Sequence, residues 1–126
     1  HPAVRRGYTL LIQRETGMTI CGEASSGEEA LLHLRTLHPQ LVLLDISLAG
    51  AIDGVELLRQ ICAEEPEVAV LVVSGHEEAV YAERMVSLGA RGYVMKGDAE
   101  AFWQALRQVA AGEIYLSPRL AEKRAR

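Results

Sequence analysis

Three residues in this chain carry chemistry that could act together: Asp45, Ser74 and Lys96. Each closes a run of buried-type residues, Leu41-Val42-Leu43-Leu44 before Asp45, Val68–Val73 before Ser74, and Tyr93-Val94-Met95 before Lys96. A carboxylate is a nucleophile able to accept a phosphoryl group. The acyl phosphate so formed needs an ammonium beside one oxygen, a hydroxyl beside another, and a hard cation such as Mg²⁺. Lys96 and Ser74 supply the first two, and Gly75 leaves the approach to Ser74 open. An unpaired ammonium at the end of a buried strand is costly, which makes Asp45 the expected partner of Lys96. Taken singly, each residue has a plainer reading. Asp and Ser are common turn residues, and a lysine at a sheet edge is ordinarily solvated.

What joins them is the order of elements along the chain. From Ala3 to Glu15, Val4, Tyr8, Leu11 and Ile12 recur at helical spacing, and Gly17 ends the pattern. Met18–Ala24 reads as a strand. Ser26 with Glu29 fits a capping box ahead of a helix that carries Ala30, Leu31, Leu34 and Leu37 inward and stops before Pro39. The Asp45 strand follows. Asp53 caps a helix to Glu64 with Val55, Leu58 and Ile61 inward, and the Ser74 strand comes after Pro66. A helix from about Glu77 to Leu88, the strand ending at Lys96, and a helix capped by Asp98 through Phe102, Leu106 and Val109 complete the alternation. Ile114-Tyr115-Leu116 is a short extended exit, and Ser117-Pro118 opens another helical stretch.

Alternating strands and helices predict βαβ units around a parallel sheet, hence a doubly wound α/β fold. Right-handed crossovers put every strand's carboxyl end on one side. Ligands of such sheets bind there, in the crevice outside the strand ends. Asp45, Ser74 and Lys96 are thereby gathered at one crevice although they are far apart in sequence.

Composition bounds the rest. At 126 residues and 13.8 kDa the chain is one domain with enough length for a core, and 49% hydrophobic content argues against disorder. A net charge of −4 and a pI near 5.6 give no footprint for nucleic acid, the basic end Lys123, Arg124 and Arg126 reading as a solvated tail. Cys21 and Cys62 lack metal-ligand spacing and read as reduced, buried small hydrophobes. His33, His38 and His76 read as surface or capping residues. No stretch reaches the length of a membrane span and no signal peptide opens the chain, so the expected address is the cytoplasm, with no membrane partner. No glycine-rich phosphate or dinucleotide loop is present.

With these elements in place the chain resembles the receiver domain of two-component response regulators. The resemblance is carried by Leu41-Val42-Leu43-Leu44-Asp45, by Asp53-Gly54 with Glu56-Leu57-Leu58, by Val72-Val73-Ser74-Gly75, and by Gly89-Ala90-Arg91-Gly92-Tyr93-Val94-Met95-Lys96. His1-Pro2, Gly22–Gly27 and Ala111–Pro118 are similar to the NarL/LuxR-type branch, whose members usually carry a C-terminal helix-turn-helix DNA-binding domain. The resemblance implies a flavodoxin-like receiver fold with strand order 2-1-3-4-5, over residues 1–116, with 117–126 starting a C-terminal linker or helix. It implies that Asp45 is the phospho-acceptor, served by a sensor histidine kinase, with Ser74 and Lys96 contacting the phosphoryl group. Tyr93 would be the aromatic that reports the state, together with Ser74 and the Tyr81 helix. Mg²⁺ would be held by Asp45, by the backbone carbonyl of Ser47 and by an acidic pair ahead of His1. A homodimer is a further implied partner, and DNA would be bound only through a domain outside this chain.

The chain departs from the family pattern in places. Ala49 replaces the usual proline after the acceptor, the Asp45–Asp53 interval is one residue longer than common, and Gly97 follows Lys96 where proline is frequent. His-Pro follows the family's first strand and acidic pair, so those, like the effector domain, are expected outside the chain. Other functions to weigh are a receiver-like interaction domain that is never phosphorylated and a small α/β enzyme. The Asp45-Ser74-Lys96 set speaks against the first, and the lack of a cofactor loop or nucleophile–base pair against the second. The expectation is a switch and not an enzyme.

Overall fold

The computed structural model describes residues 12–14, 17–46, 53–75, 79–118 and 121–122. Helices and strands alternate along them: α1 (Gly27–Leu37), β1 (Leu41–Asp45), α2 (Gly54–Glu64), β2 (Ala69–Ser74), α3 (Ala79–Ser87), β3 (Gly92–Met95) and α4 (Ala99–Ala110). The three strands form a parallel sheet in the order β1-β2-β3. This is the 3-4-5 part of the expected order.

Local chemistry explains where the helices begin. The Ser26 hydroxyl accepts from the Glu29 N–H at 3.2 Å, while the Glu29 carboxylate accepts from the Ser25 N–H at 3.0 Å, one residue earlier than in the usual box. Asp53 accepts from the Glu56 N–H at 2.8 Å and Asp98 from the Ala101 N–H at 3.0 Å. Each cap satisfies an amide that the first helical turn leaves without a partner. The stop of α1 is sharper than a proline alone would make it. His38 adopts a left-handed conformation (φ 49°, ψ 58°), turning the chain into Pro39 and β1.

Strand alternation divides the core in two. Val42, Leu44, Val70, Val72 and Tyr93 pack on one face against Leu34 of α1, Leu57, Leu58 and Ile61 of α2 and Met85 of α3. Leu41, Leu43, Leu71, Val73 and Val94 pack on the other against Phe102, Ala105, Leu106 and Val109 of α4. β2, central in the described sheet, has Val70, Leu71 and Val72 with no solvent exposure at all. Covered on both faces, its sequence reads as a continuous aliphatic run.

Several expectations need correcting. Met18–Ala24 is not a strand. Its backbone joins no ladder, because the described residues place no strand beside it, although Met18 and Ile20 still pack toward the α4 side of the core. Cys21 is consequently exposed and not buried; Cys62 is half-buried, and both are free thiols. Leu37 is exposed and not part of the inner face of α1. His33 is half-buried, its Nδ1 enclosed without a hydrogen-bond partner, and so is not a surface residue. Of the first expected helix only residues 12–14 are described, and they are helical, with Ile12 buried. Tyr115 forms a single parallel bridge to Gly92, laying the exit segment against the outer edge of β3.

Candidate functional site

The sheet register decides what meets at its carboxyl edge. Asp45 is level with Val73, and Ser74 with Met95. The ladder continues past the strand ends, the Ile46 N–H donating to the Val73 carbonyl at 3.3 Å and the Lys96 N–H to the Ser74 carbonyl at 2.7 Å. Asp45, Ser74 and Lys96 therefore step diagonally across one edge of the sheet.

Alternation then sorts their side chains by face. Asp45 follows Leu41 and Leu43, and Lys96 follows Val94, all of which belong to the α4 side. On that side the Lys96 ammonium lies 2.8 Å from an Asp45 carboxylate oxygen, with side chains 42% and 45% exposed respectively. Both groups are open to solvent, so the pair is a wet one, reachable by an incoming ligand. Ser74 alternates with Val70 and Val72 and so falls on the opposite face, where it is 1% exposed. Tyr93, level with Val72 and 2% exposed, shares that face with Ser74. The edge is thus two-sided, with an accessible ion pair on one face and a buried hydroxyl and aromatic on the other.

The connections after the strands shape this edge. α2 begins at Gly54 directly against the end of β1: a Cβ built on Gly54 would lie 2.6 Å from the Ile46 Cα and 2.7 Å from its carbonyl oxygen. This contact joins residues on either side of the β1–α2 loop. The sequence marked Gly54 only as part of a motif, and nothing local revealed the backbone it would touch. Gly97, the residue after Lys96, has φ +90°, a conformation closed to proline. Ser47, Ala49, His76 and the side chain of Tyr81 lie outside the described residues.

Other charged groups serve the scaffold. Arg35 of α1 pairs with Glu64 of α2 at 2.6 Å, tying the two helices together at the surface. Hydrogen bonds from the Arg59 guanidinium and then the Gln60 amide hold the Glu56 carboxyl down at about 2. Burial pushes the Cys62 thiol up, Arg91 opposing it. A groove of about 390 Å³ lined by Leu34, His38, Pro39, Glu65 and Val68 lies at the other end of the sheet, before β1 and β2, away from Asp45. Among the described residues no three His, Cys, Asp or Glu side chains cluster as a metal cage, and no helix is long and apolar enough to cross a membrane.

Comparison with known proteins agrees with this geometry. Residues 1–107 match the family profile described as the response regulator receiver domain. The chain is 38% identical over 124 residues to the response regulator GacA of Pseudomonas aeruginosa, covering 98% of this chain and 58% of that protein. It is 37% identical over 123 residues to the nitrate/nitrite response regulator protein NarL of Escherichia coli, covering 95% of this chain and 56% of that one. The chain thus spans little more than half the length of these relatives. Among solved structures, a LuxR-family two-component response regulator from Aurantimonas sp. superposes with a TM-score of 0.88 at 33% identity, over 100% of this chain and 93% of that one. The α/β sheet, the edge it builds and these matches agree: the chain belongs to the response regulator receiver domain family, in its NarL/LuxR branch.

Proposed function

We propose that this chain is a phosphorylation-controlled switch in which Asp45 accepts a phosphoryl group from the phosphohistidine of a sensor kinase. A carboxylate oxygen of Asp45 attacks phosphorus, the new P–O bond forms as the P–N bond breaks, and the imidazole leaves with the electron pair and takes up a proton. The observation that carries this reading is the 2.8 Å contact between Lys96 and Asp45 at an exposed sheet edge. Such an ammonium can follow the charge from the carboxylate to a phosphoryl oxygen. The Ser74 hydroxyl reaches for a second oxygen, and its displacement is passed to Tyr93 on the same face, which changes what the domain presents to a partner.

The hard carboxylate oxygens of Asp45 suit Mg²⁺, an ion that keeps several waters and needs few protein ligands. When bound, Mg²⁺ neutralises charge on the phosphoryl oxygens; Ser47, the other expected ligand in this chain, lies outside the described residues. The receiver unit runs to about residue 116, and 117–126 begins the connection onward. In the whole protein, cytoplasmic by this reading, the switch governs a C-terminal DNA-binding domain, with pairing of two copies as the means. Turnover of a substrate is not its task.

The test is to incubate the protein with a small phosphodonor and Mg²⁺ and follow its intact mass. One added phosphate, absent in Asp45→Asn, is the expected result. No phosphate on the unaltered protein would favour an interaction domain that works without modification, and phosphate retained by Asp45→Asn would move the acceptor elsewhere.

A further inference from the structure

We propose that Gly54 is a positioning residue for Asp45, acting through the backbone of Ile46. The inference rests on Asp45 being the phospho-acceptor and adds a part of the site that touches neither phosphate nor metal. Ile46 directly follows Asp45 and is held from two sides. Its N–H donates to the Val73 carbonyl of β2 at 3.3 Å, and its Cα, carbonyl carbon and oxygen face the first residue of α2. A Cβ on Gly54 would stand 2.6 Å from that Cα, 2.7 Å from the oxygen and 3.0 Å from the carbonyl carbon. All three are backbone atoms, which have no rotamer through which to yield.

Gly54 is itself fixed. It is buried, and the cap bond from the Glu56 N–H to Asp53 and the bond from the Leu57 N–H to the Asp53 carbonyl, at 2.8 and 2.9 Å, set the first turn around it. A methyl group at position 54 therefore displaces Ile46 rather than α2, whose Leu57, Leu58 and Ile61 are locked in the core. Displacing Ile46 moves the adjoining Asp45 against a Lys96 whose backbone is held separately by Ser74. Misplacement of a reacting group by about 1 Å costs up to roughly a hundredfold in rate.

The experiment compares Gly54→Ala with Val109→Ala in the full-length protein. Val109 is equally buried but sits in the α4 side of the core and belongs to no part of the site. Two quantities are read: the rate of phosphate uptake from a small phosphodonor, and the NMR signals of the Asp45 carboxyl carbon and the Lys96 ammonium nitrogen. Gly54→Ala is expected to slow uptake by about ten- to a hundredfold and to shift both signals, while Val109→Ala lowers the melting temperature with rate and signals unchanged. A Gly54→Ala protein that melts lower but keeps rate and signals would overturn the proposal. Should that variant fail to fold, Asp53→Ala decides, since it loosens the same turn with Gly54 kept. A several-fold slower uptake with shifted signals is then expected, and unchanged values would refute the role. The NMR arm needs no phosphate, so it tests the contact even if Asp45 proves not to be the acceptor.

Discussion

Asp45 ends β1 and Lys96 follows β3, strands that are not neighbours, yet their side chains meet at 2.8 Å across the intervening β2. The register allows it. Lys96 lies beyond the end of its ladder and Asp45 one step short of Ser74, so a long side chain can reach back over Val73 on their common face. With both groups over 40% exposed, the pair adds little to stability, roughly 0–1 kcal/mol.

Asp45→Asn should therefore unfold in urea within about 1 kcal/mol of the unaltered protein while losing phosphate uptake. Lys96→Ala should also stay folded. It should impair the response to phosphorylation more than the uptake itself, because in the proposed switch the ammonium chiefly holds the charged product. Comparing the mass change with a binding or dimerisation assay on each variant separates the two effects.

Leu58→Ala belongs to the opposite class. Leu58 has no solvent exposure and sits where α2 meets the sheet. Truncation leaves a cavity that close-packed neighbours fill only in part, and a loss of about 2–5 kcal/mol in urea-derived unfolding free energy is expected.

The thiols should differ in reactivity. Cys21 is exposed, whereas Cys62 is half-buried, with its thiol pushed up by burial and packed against Gly89, where an added Cβ would lie 2.7 Å from its sulfur. The thiolate is the reacting species. Under limiting iodoacetamide at neutral pH, peptide masses should show Cys21 alkylated well before Cys62.

The Glu56 carboxyl falls from its ordinary 4.5 to about 2 in the folded chain through Arg59 and Gln60. A depressed carboxylate contributes stability above its unfolded pKa and loses it as pH drops through the folded one. The melting-temperature gap between the unaltered protein and Glu56→Leu should therefore hold above about pH 5 and narrow as pH falls toward 2. A gap that stayed constant over this window would show the Arg59 contact to be without thermodynamic weight.

What could be read from the residues alone followed locality. The caps at Ser26, Asp53 and Asp98 depend on a side chain and an amide three residues on, and all three stand as expected. β1, β2 and β3 were legible because two-sided burial writes unbroken aliphatic runs, and strand direction gathered Asp45 and Lys96 at one edge, where opposite charge paired them. Met18–Ala24 was read as a strand from its own residues, but a strand is also made by its partner, and the described residues place none beside it. The same blindness hid the Gly54–Ile46 contact and the face-by-face separation of Lys96 from Ser74, both of which are set by packing and register.

The helices that follow the strands give the carboxyl edge a property that none of its side chains supplies. α2, α3 and α4 follow the ends of β1, β2 and β3 in the chain, starting at Gly54, Ala79 and Ala99, so their amino ends lie on the carboxyl side of the sheet. The positive ends of three peptide dipoles are thereby turned toward the place where an anion would arrive, each modest and felt within about one turn. Unlike Asp45 and Lys96, peptide units do not titrate. The carboxylates of Asp53 and Asp98 already sit on two of these amino ends and offset part of that field, and what remains of the peptide contribution does not change with pH and weakens with ionic strength.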